Sequence, residues 1–217
     1  MEPDKILEIF FEKYPAEKYP KNTLILNQED EPEGMYYLTG GYVRQYAKSP
    51  KGEILYLHVF RPGSCFPMMW LLTDVKHRYF YEAITPVSVK KAPAEAVMKL
   101  MDRHPEILEY FTERLLLGMN GLLTRLESLV LDTAYTKTAL LFIFFARMFG
   151  KREGKKVYID IPLSHQQIGT WIGTARETAT LAAEALRRKG FIRYRNRRYD
   201  IPDLSALEKE ISASRLL

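Results

Sequence analysis

One cysteine among 217 residues, Cys65, has no partner for an intrachain disulfide and supplies too few thiolates for a Cys-rich zinc site or a four-thiolate iron–sulfur cluster. Histidine is nearly as scarce. His58, His77, His104 and His165 leave a metal enzyme little to use, so neither a metal site nor a catalytic set nor a cofactor is expected. Long apolar runs are missing too: the longest, Ala139 to Ala146, falls far short of the roughly 20 residues that cross a bilayer, and no membrane association is expected. The first residues, Met1-Glu2-Pro3-Asp4-Lys5, carry acid where a signal peptide carries base, which points to the cytoplasm. With 47% hydrophobic residues the chain is ordinary globular material, long enough for one large or two small domains.

What is present is unevenly distributed. Residues 1–150 hold 18 basic and 19 acidic side chains, whereas residues 151–217 hold 14 basic and 8 acidic. The whole excess of positive charge therefore lies in the last third, where a solvated basic face or a polyanion such as nucleic acid would account for it.

The spacing of apolar residues changes three times along the chain. Lys5 to Lys13 has helical spacing and is stopped by Pro15 and Pro20. From Thr23 to Ala92 short period-two runs alternate with turn signals at Gly40-Gly41, Ser49-Pro50-Lys51-Gly52, Pro62-Gly63 and Thr85-Pro86, the pattern of a β-sandwich or barrel. Leu108, Phe111, Leu115, Gly118, Leu122, Leu126 and Leu129 then follow steps of three and four, the seam of a helix of about 25 residues. A helix that long outruns a small barrel, and a parallel partner helix from a second subunit is the economical cover for it. Thr133 to Phe149 reads as a further helix with Gly150 as its C-cap, followed by a basic loop, Lys151 to Lys156, and a strand from Val157.

The strongest signal lies between Leu163 and Ile201. Ser164-His165-Gln166-Gln167 is a capping box that starts a helix, which Gly173 ends. A second helix runs from Arg176 to Lys189, and Ala179, Ala182, Ala183 and Leu186 on it follow the i, i+3, i+4, i+7 spacing of a buried face. Arg176, Glu177, Thr180, Leu181 and Glu184 are thereby forced outward, with an arginine and a glutamate suited to guanine and cytosine edges. A hairpin follows, Phe191 to Arg195 and Arg198 to Ile201 around Asn196-Arg197, carrying four arginines suited to phosphate. Two helices joined at a glycine turn, with a basic wing, are the parts of a helix-turn-helix; an αα-hairpin with a basic rim is the plainer reading.

In its order of β-roll, long helix and winged helix-turn-helix, the chain resembles the cyclic-AMP receptor protein/FNR family of bacterial transcription regulators. The resemblance covers about Tyr19 to Leu204. It is carried by Leu163-Ser-His-Gln-Gln-Ile-Gly-Thr-Trp-Ile-Gly-Thr-Ala-Arg-Glu-Thr178, by Leu186 followed by Gly190-Phe-Ile, by Gly41 with Val43, and by Pro62-Gly63. It implies an α+β fold: a β-roll sensory domain over residues 1–104, a dimerisation helix and hinge over 105–132, and a winged helix-turn-helix over 133–217. It implies a homodimer on a palindromic operator in double-stranded DNA, with RNA polymerase as a further partner. The candidate DNA-contacting residues are Ser164, Gln166, Thr174, Arg176, Glu177, Thr178, Thr180, Arg193, Arg195, Arg197 and Arg198. Leu181 stands where the cyclic-AMP receptor protein has a further arginine. Ala175 replaces the usual serine cap, with Thr174 as a weaker substitute.

The sensory half departs from the family pattern. Cyclic-nucleotide binders use Gly-Glu and an Arg-Ser/Thr pair; here Pro67 and Met68 replace the first, and Arg78 stands beside no Ser or Thr. Cyclic-nucleotide binding is therefore not expected, because a buried phosphate without its arginine is costly. The cysteine cluster of oxygen sensors and the histidine of haem sensors are absent as well. The aromatic and methionine-rich residues there, Met68, Met69, Trp70, Tyr79, Phe80 and Tyr81, read as plain core or as a site for a small apolar effector. The candidate effector contacts are Met68, Trp70, Arg78 and Tyr81 of the roll, with Leu122 and Leu126 of the long helix. A constitutively active protein that binds no ligand is the third reading. The competing functions are a cupin-like β-barrel enzyme, short of histidines here, and a signalling module that has lost DNA binding, for which the exposed Leu181 and Glu184 speak.

Overall fold

The computed structural model describes residues 2–73, 75–161, 163–195 and 198–215 and divides into two compact units, Met1–Leu122 and Leu123–Leu217. In the first, helix α1 (Pro3–Glu12) leads into eight strands, β1 (Ala16–Tyr19), β2 (Leu24–Leu26), β3 (Gly34–Gly40), β4 (Val43–Lys48), β5 (Ile54–Phe60), β6 (Cys65–Phe66), β7 (Phe80–Ala83) and β8 (Val87–Pro93). They form two antiparallel sheets of order β1-β8-β3-β6 and β2-β7-β4-β5. Short helix α2 (Met68–Leu72) precedes β7, and α3 (Ala94–Arg103) and α4 (Pro105–Leu131) follow β8.

Successive strand residues point to opposite faces, and β3 and β6 are buried on both. Met35 and Cys65 face one cluster, with Leu7 and Phe11 of α1, Val97 and Met101 of α3, and Ile107 and Phe111 of α4. Tyr36 and Phe66 face the roll interior, with Leu38, Val43, Tyr81, Ala83, Val87 and Val89. Cys65 is buried, and burial pushes its thiol far above the ordinary cysteine range.

The second unit holds the last turns of α4, helix α5 (Ala134–Phe149), hairpin strands β9 (Gly150–Glu153) and β10 (Lys156–Ile159), helices α6 (His165–Ile172) and α7 (Arg176–Arg188), strands β11 (Arg193–Arg195) and β12 (Arg198–Ile201), and α8 (Leu204–Arg215). Its sheet runs β11-β12-β10-β9. Thr133 caps α5 by accepting from the Thr136 amide, and Lys137 Nζ donates to the Leu129 carbonyl at the end of α4, 2.8 Å away.

Several elements differ from the sequence expectations. The basic loop Lys151–Lys156 is a hairpin, turned at Gly154 with φ +62°. Gly150 is the C-cap of α5, as expected, but in extended backbone (φ −80°, ψ 129°) that starts β9. β1 precedes the span of period-two runs, and it gains its ladder from β8. Of the α4 seam, Phe111 is buried within the protomer, whereas Leu108, Leu122 and Leu126 are exposed together with Leu116, Leu117, Met119, Leu123 and Val130.

Candidate nucleic-acid interface

Local chemistry fixes the two helices of the second unit. The Gln167 amide donates to Ser164 Oγ (3.2 Å) and the Ser164 amide to Gln167 Oε1 (2.9 Å), completing the capping box of α6. Gly173 ends α6 at φ +65°, ψ +42°, where a side chain is strained, and the Thr174 amide donates back to the Gly169 carbonyl at 3.0 Å. Gly169 is there for space: a Cβ on it would lie 2.7 Å from the Thr174 carbonyl oxygen. α7 begins without a side-chain cap, since Ala175 holds that position and Thr174 does not supply one.

On α7 the four apolar residues of the expected face, Ala179, Ala182, Ala183 and Leu186, are buried. Arg176, Glu177, Thr178 and Leu181 are exposed on the other side, and Ser164 and Gln166 are exposed on α6. Thr180 is only half exposed. Its hydroxyl donates to the Arg176 carbonyl (2.8 Å) and lies 3.1 Å from His165 Nδ1, so it ties α6 to α7. Glu184 is held by Arg187 at 2.7 Å, and that guanidinium keeps its carboxyl below the usual carboxylate range. The negative charge of Glu184, which would otherwise repel phosphate, is thereby offset within the same helix.

The wing arginines separate into kinds. Arg193 and Arg195 are exposed on β11 with no ion pair among the described residues, whereas Arg198 pairs with Asp160, which also holds Lys151. Arg197 lies outside the described residues.

One residue that sequence reasoning missed is Arg125, in the last turns of α4. Its Nη2 donates to the Trp171 carbonyl (2.8 Å) near the C-terminal end of α6, and its guanidinium lies 5.0 Å from the Trp171 ring centroid. Burial lowers its pKa to about 10, so it remains a cation, placed where the helix dipole favours one. Leu129, one turn on, lies 3.4 Å from where a Gly173 side chain would begin. Arg125 reads in sequence as one more polar residue of an amphipathic helix, and nothing local signals its role.

In the roll, the residues present do not fit a cyclic nucleotide. Tyr36, Phe66, Tyr81 and His77 stack in succession at 5.3, 5.0 and 5.5 Å between centroids, with Phe60 tilted against Phe66 and Tyr81. Gln45 Nε2 donates to the Tyr81 hydroxyl at 3.0 Å. Tyr36, Phe66 and Tyr81 form part of the buried core of the roll. Pro67 has no amide proton to give, Met68 no carboxylate to accept from a ribose hydroxyl, and Arg78 is exposed with its guanidinium near the Tyr79 ring. Of the candidate effector residues, Met68 packs on the cluster of Leu7 and Phe11, Tyr81 lies in the roll interior, Trp70 is half-buried on α2, and Leu122 and Leu126 are exposed on α4. Among the described residues no three His, Cys, Asp or Glu side chains gather as a metal site, and no helix is long and apolar enough to cross a membrane.

Residues 16–104 match the cyclic nucleotide-binding domain family, and residues 138–210 match the Crp-like helix-turn-helix domain. A global nitrogen regulator from Nostoc sp. is 29% identical over 183 residues, covering 82% of this chain and 80% of its own. The transcriptional regulator SdrP of Thermus thermophilus is also 29% identical, over 83% of this chain and 84% of its own. A solved transcriptional regulator of the CRP/FNR family from T. thermophilus superposes with a TM-score of 0.76 at 25% identity, covering 93% of this chain and all of its own (100%).

Proposed function

The chain belongs to the CRP/FNR family of DNA-binding transcription regulators, and from that premise we propose that it binds a palindromic operator as a homodimer, with α7 in the major groove and the wing on phosphate. The observation that carries this is the division of α7: an Ala- and Leu-lined face buried in its unit, and Arg176, Glu177 and Thr178 left exposed in the first turn. N-terminal residues of a recognition helix are the ones that reach base edges. Arg176 pairs with guanine O6 and N7 and Glu177 accepts from cytosine N4, while Arg193, Arg195 and Arg197 meet phosphates with Ser164, Gln166, Thr174 and Thr178 around them. Thr180 and Arg198 act one step back, through His165 and Asp160.

The exposed apolar side chains of α4 are the dimer surface, and half-sites then lie about one helical turn, roughly 34 Å, apart. The protein acts as a regulator and not an enzyme, in the cytoplasm, with RNA polymerase as its further partner. Its signal is not a cyclic nucleotide, because Pro67 and Met68 stand where cyclic-nucleotide binders have Gly-Glu, and the exposed Arg78 stands beside no Ser or Thr. Selection from random double-stranded DNA by the full chain tests the reading: a palindrome is expected, and Arg176→Ala should relax one guanine position at a cost of about 1–3 kcal/mol. Selection of no sequence, or a monomer by light scattering at micromolar concentration, would overturn it.

A further inference from the structure

Leu181 is 71% exposed on the outward face of α7. It lies five residues beyond Arg176, which places it about 7.5 Å further along the helix axis. Its neighbours on that face are charged: Glu177 one turn before it, Glu184 one turn after it and Arg188 two turns after it. Helix formation does not call for leucine here, since Lys, Arg, Gln or Glu serve an exposed helical site about as well. Leucine instead adds apolar surface with no donor or acceptor, in the middle of a face whose other members can hydrogen-bond.

We infer that Leu181 reads the 5-methyl group of a thymine in the operator; this rests on the reading of α7 as the recognition helix. The major-groove edge of a base pair offers donors and acceptors, and one apolar feature, the thymine methyl. A side chain that cannot hydrogen-bond gains nothing from the polar edges and leaves them unsatisfied, so it favours the one base that presents a methyl. Two further observations fit a base rather than a protein as the occupant. Arg187 neutralises Glu184 at 2.7 Å, which removes the acid that would oppose approach to a polyanion at this end of the face. The surrounding excess of basic charge, with Arg193 and Arg195 exposed on β11, complements nucleic acid.

The test separates the methyl from every other feature of thymine. The full chain first selects its operator from random DNA; each thymine of the half-site is then replaced singly by deoxyuridine, which removes only the methyl. One position is expected to lose about fourfold in affinity per half-site, the worth of one buried methyl-sized group. With Leu181→Ala the same replacement should cost nothing, and Leu181→Ala alone should weaken the thymine operator by a similar or larger factor. Leu181 is exposed, so the alanine variant keeps its fold. If the wild type selects an operator but shows no methyl sensitivity, or if the sensitivity persists in Leu181→Ala, the inference fails while α7 stands as the reader. If Leu181→Ala keeps DNA affinity but loses binding to RNA polymerase, the occupant is protein and the inference fails likewise. If the wild type selects no sequence, the reading of α7 fails and takes this inference with it.

Discussion

Replacing Gly169 with alanine sets two opposed effects against each other at one atom. Gly169 lies inside α6, and by intrinsic propensity alanine there should stabilise the helix by up to about 1 kcal/mol. The new Cβ, however, would lie 2.7 Å from the Thr174 carbonyl oxygen and 3.5 Å from the carbonyl carbon and oxygen of Ala175. These are backbone atoms, without a rotamer to escape into, so the turn itself must shift by several tenths of an ångström. Overpacking of this kind costs about 1–3 kcal/mol, which exceeds the propensity gain, and a net loss of about 1–2 kcal/mol is expected. For a unit of this size that corresponds to a fall of about 5–10 °C in its thermal midpoint. The displaced atoms immediately precede α7, so the start of the recognition helix moves and operator affinity falls together with stability. Calorimetric melting and operator titration of Gly169→Ala read both quantities. A midpoint unchanged or raised would refute the claim that close backbone approach, rather than helix chemistry, selects glycine here.

Four further outcomes are expected. Arg195→Ala should weaken binding to all sequences alike and reduce the slope of log affinity against log salt by about 1; an unchanged slope would remove it from the phosphate contacts. Arg125→Leu should lower operator affinity with that slope unchanged, because Arg125 holds Trp171 and touches no phosphate, and Arg125→Lys should recover part of the loss; full affinity in Arg125→Leu would show the contact to be idle. Burial holds His77 below the ordinary histidine range, and its Nε2 is buried with no hydrogen-bond partner among the described residues. The unfolded chain therefore takes up the proton first, and stability should fall as pH drops below about 6.5, by at most about 1.4 kcal/mol per pH unit. His77→Phe should flatten that dependence in melting curves at pH 7.5 and 5.5, and an identical dependence in both proteins would acquit His77. Calorimetry with millimolar cyclic AMP should give no saturable heat; saturable heat abolished by Arg78→Ala would reinstate a nucleotide site.

The helix-turn-helix was legible because its signals are local. The capping box needs four residues, the stop at Gly173 needs one, and the Ala-rich stripe of α7 needs eight, all read correctly at their positions. The hairpin of β9 and β10 was not legible, because Lys151 to Lys156 contains no apolar residue to set a period and gains its ladder only from pairing. Tyr81 and Phe80 read in sequence as plain core or as part of an effector site, since composition cannot tell a ring that lines a cavity from one that fills it. The α4 stripe gave the helix, but not that Phe111 would be covered within the unit; that depends on packing against α3, which ends just before α4, and α1, about a hundred residues earlier. Arg125 and Gly169 act through the backbone of residues 46 and 5 positions away, and contacts of that kind leave no mark on spacing.

The solitary thiol of Cys65 turns the roll into its own clock. It sits in the cluster shared by α1, α3 and the start of α4, and burial holds it protonated and out of reach of reagents. An alkylating probe can react only while that cluster is open, so under slow-probe conditions the labelling rate at neutral pH is the exposed-thiol rate multiplied by the fraction of time spent open. With no second cysteine to confuse the signal, a single mass shift counts those openings. The measurement reports the free energy of opening of that cluster, and it can be repeated beside each compound tried as an effector. A compound that closes the cluster slows the clock, and one that binds elsewhere leaves it running at the same rate.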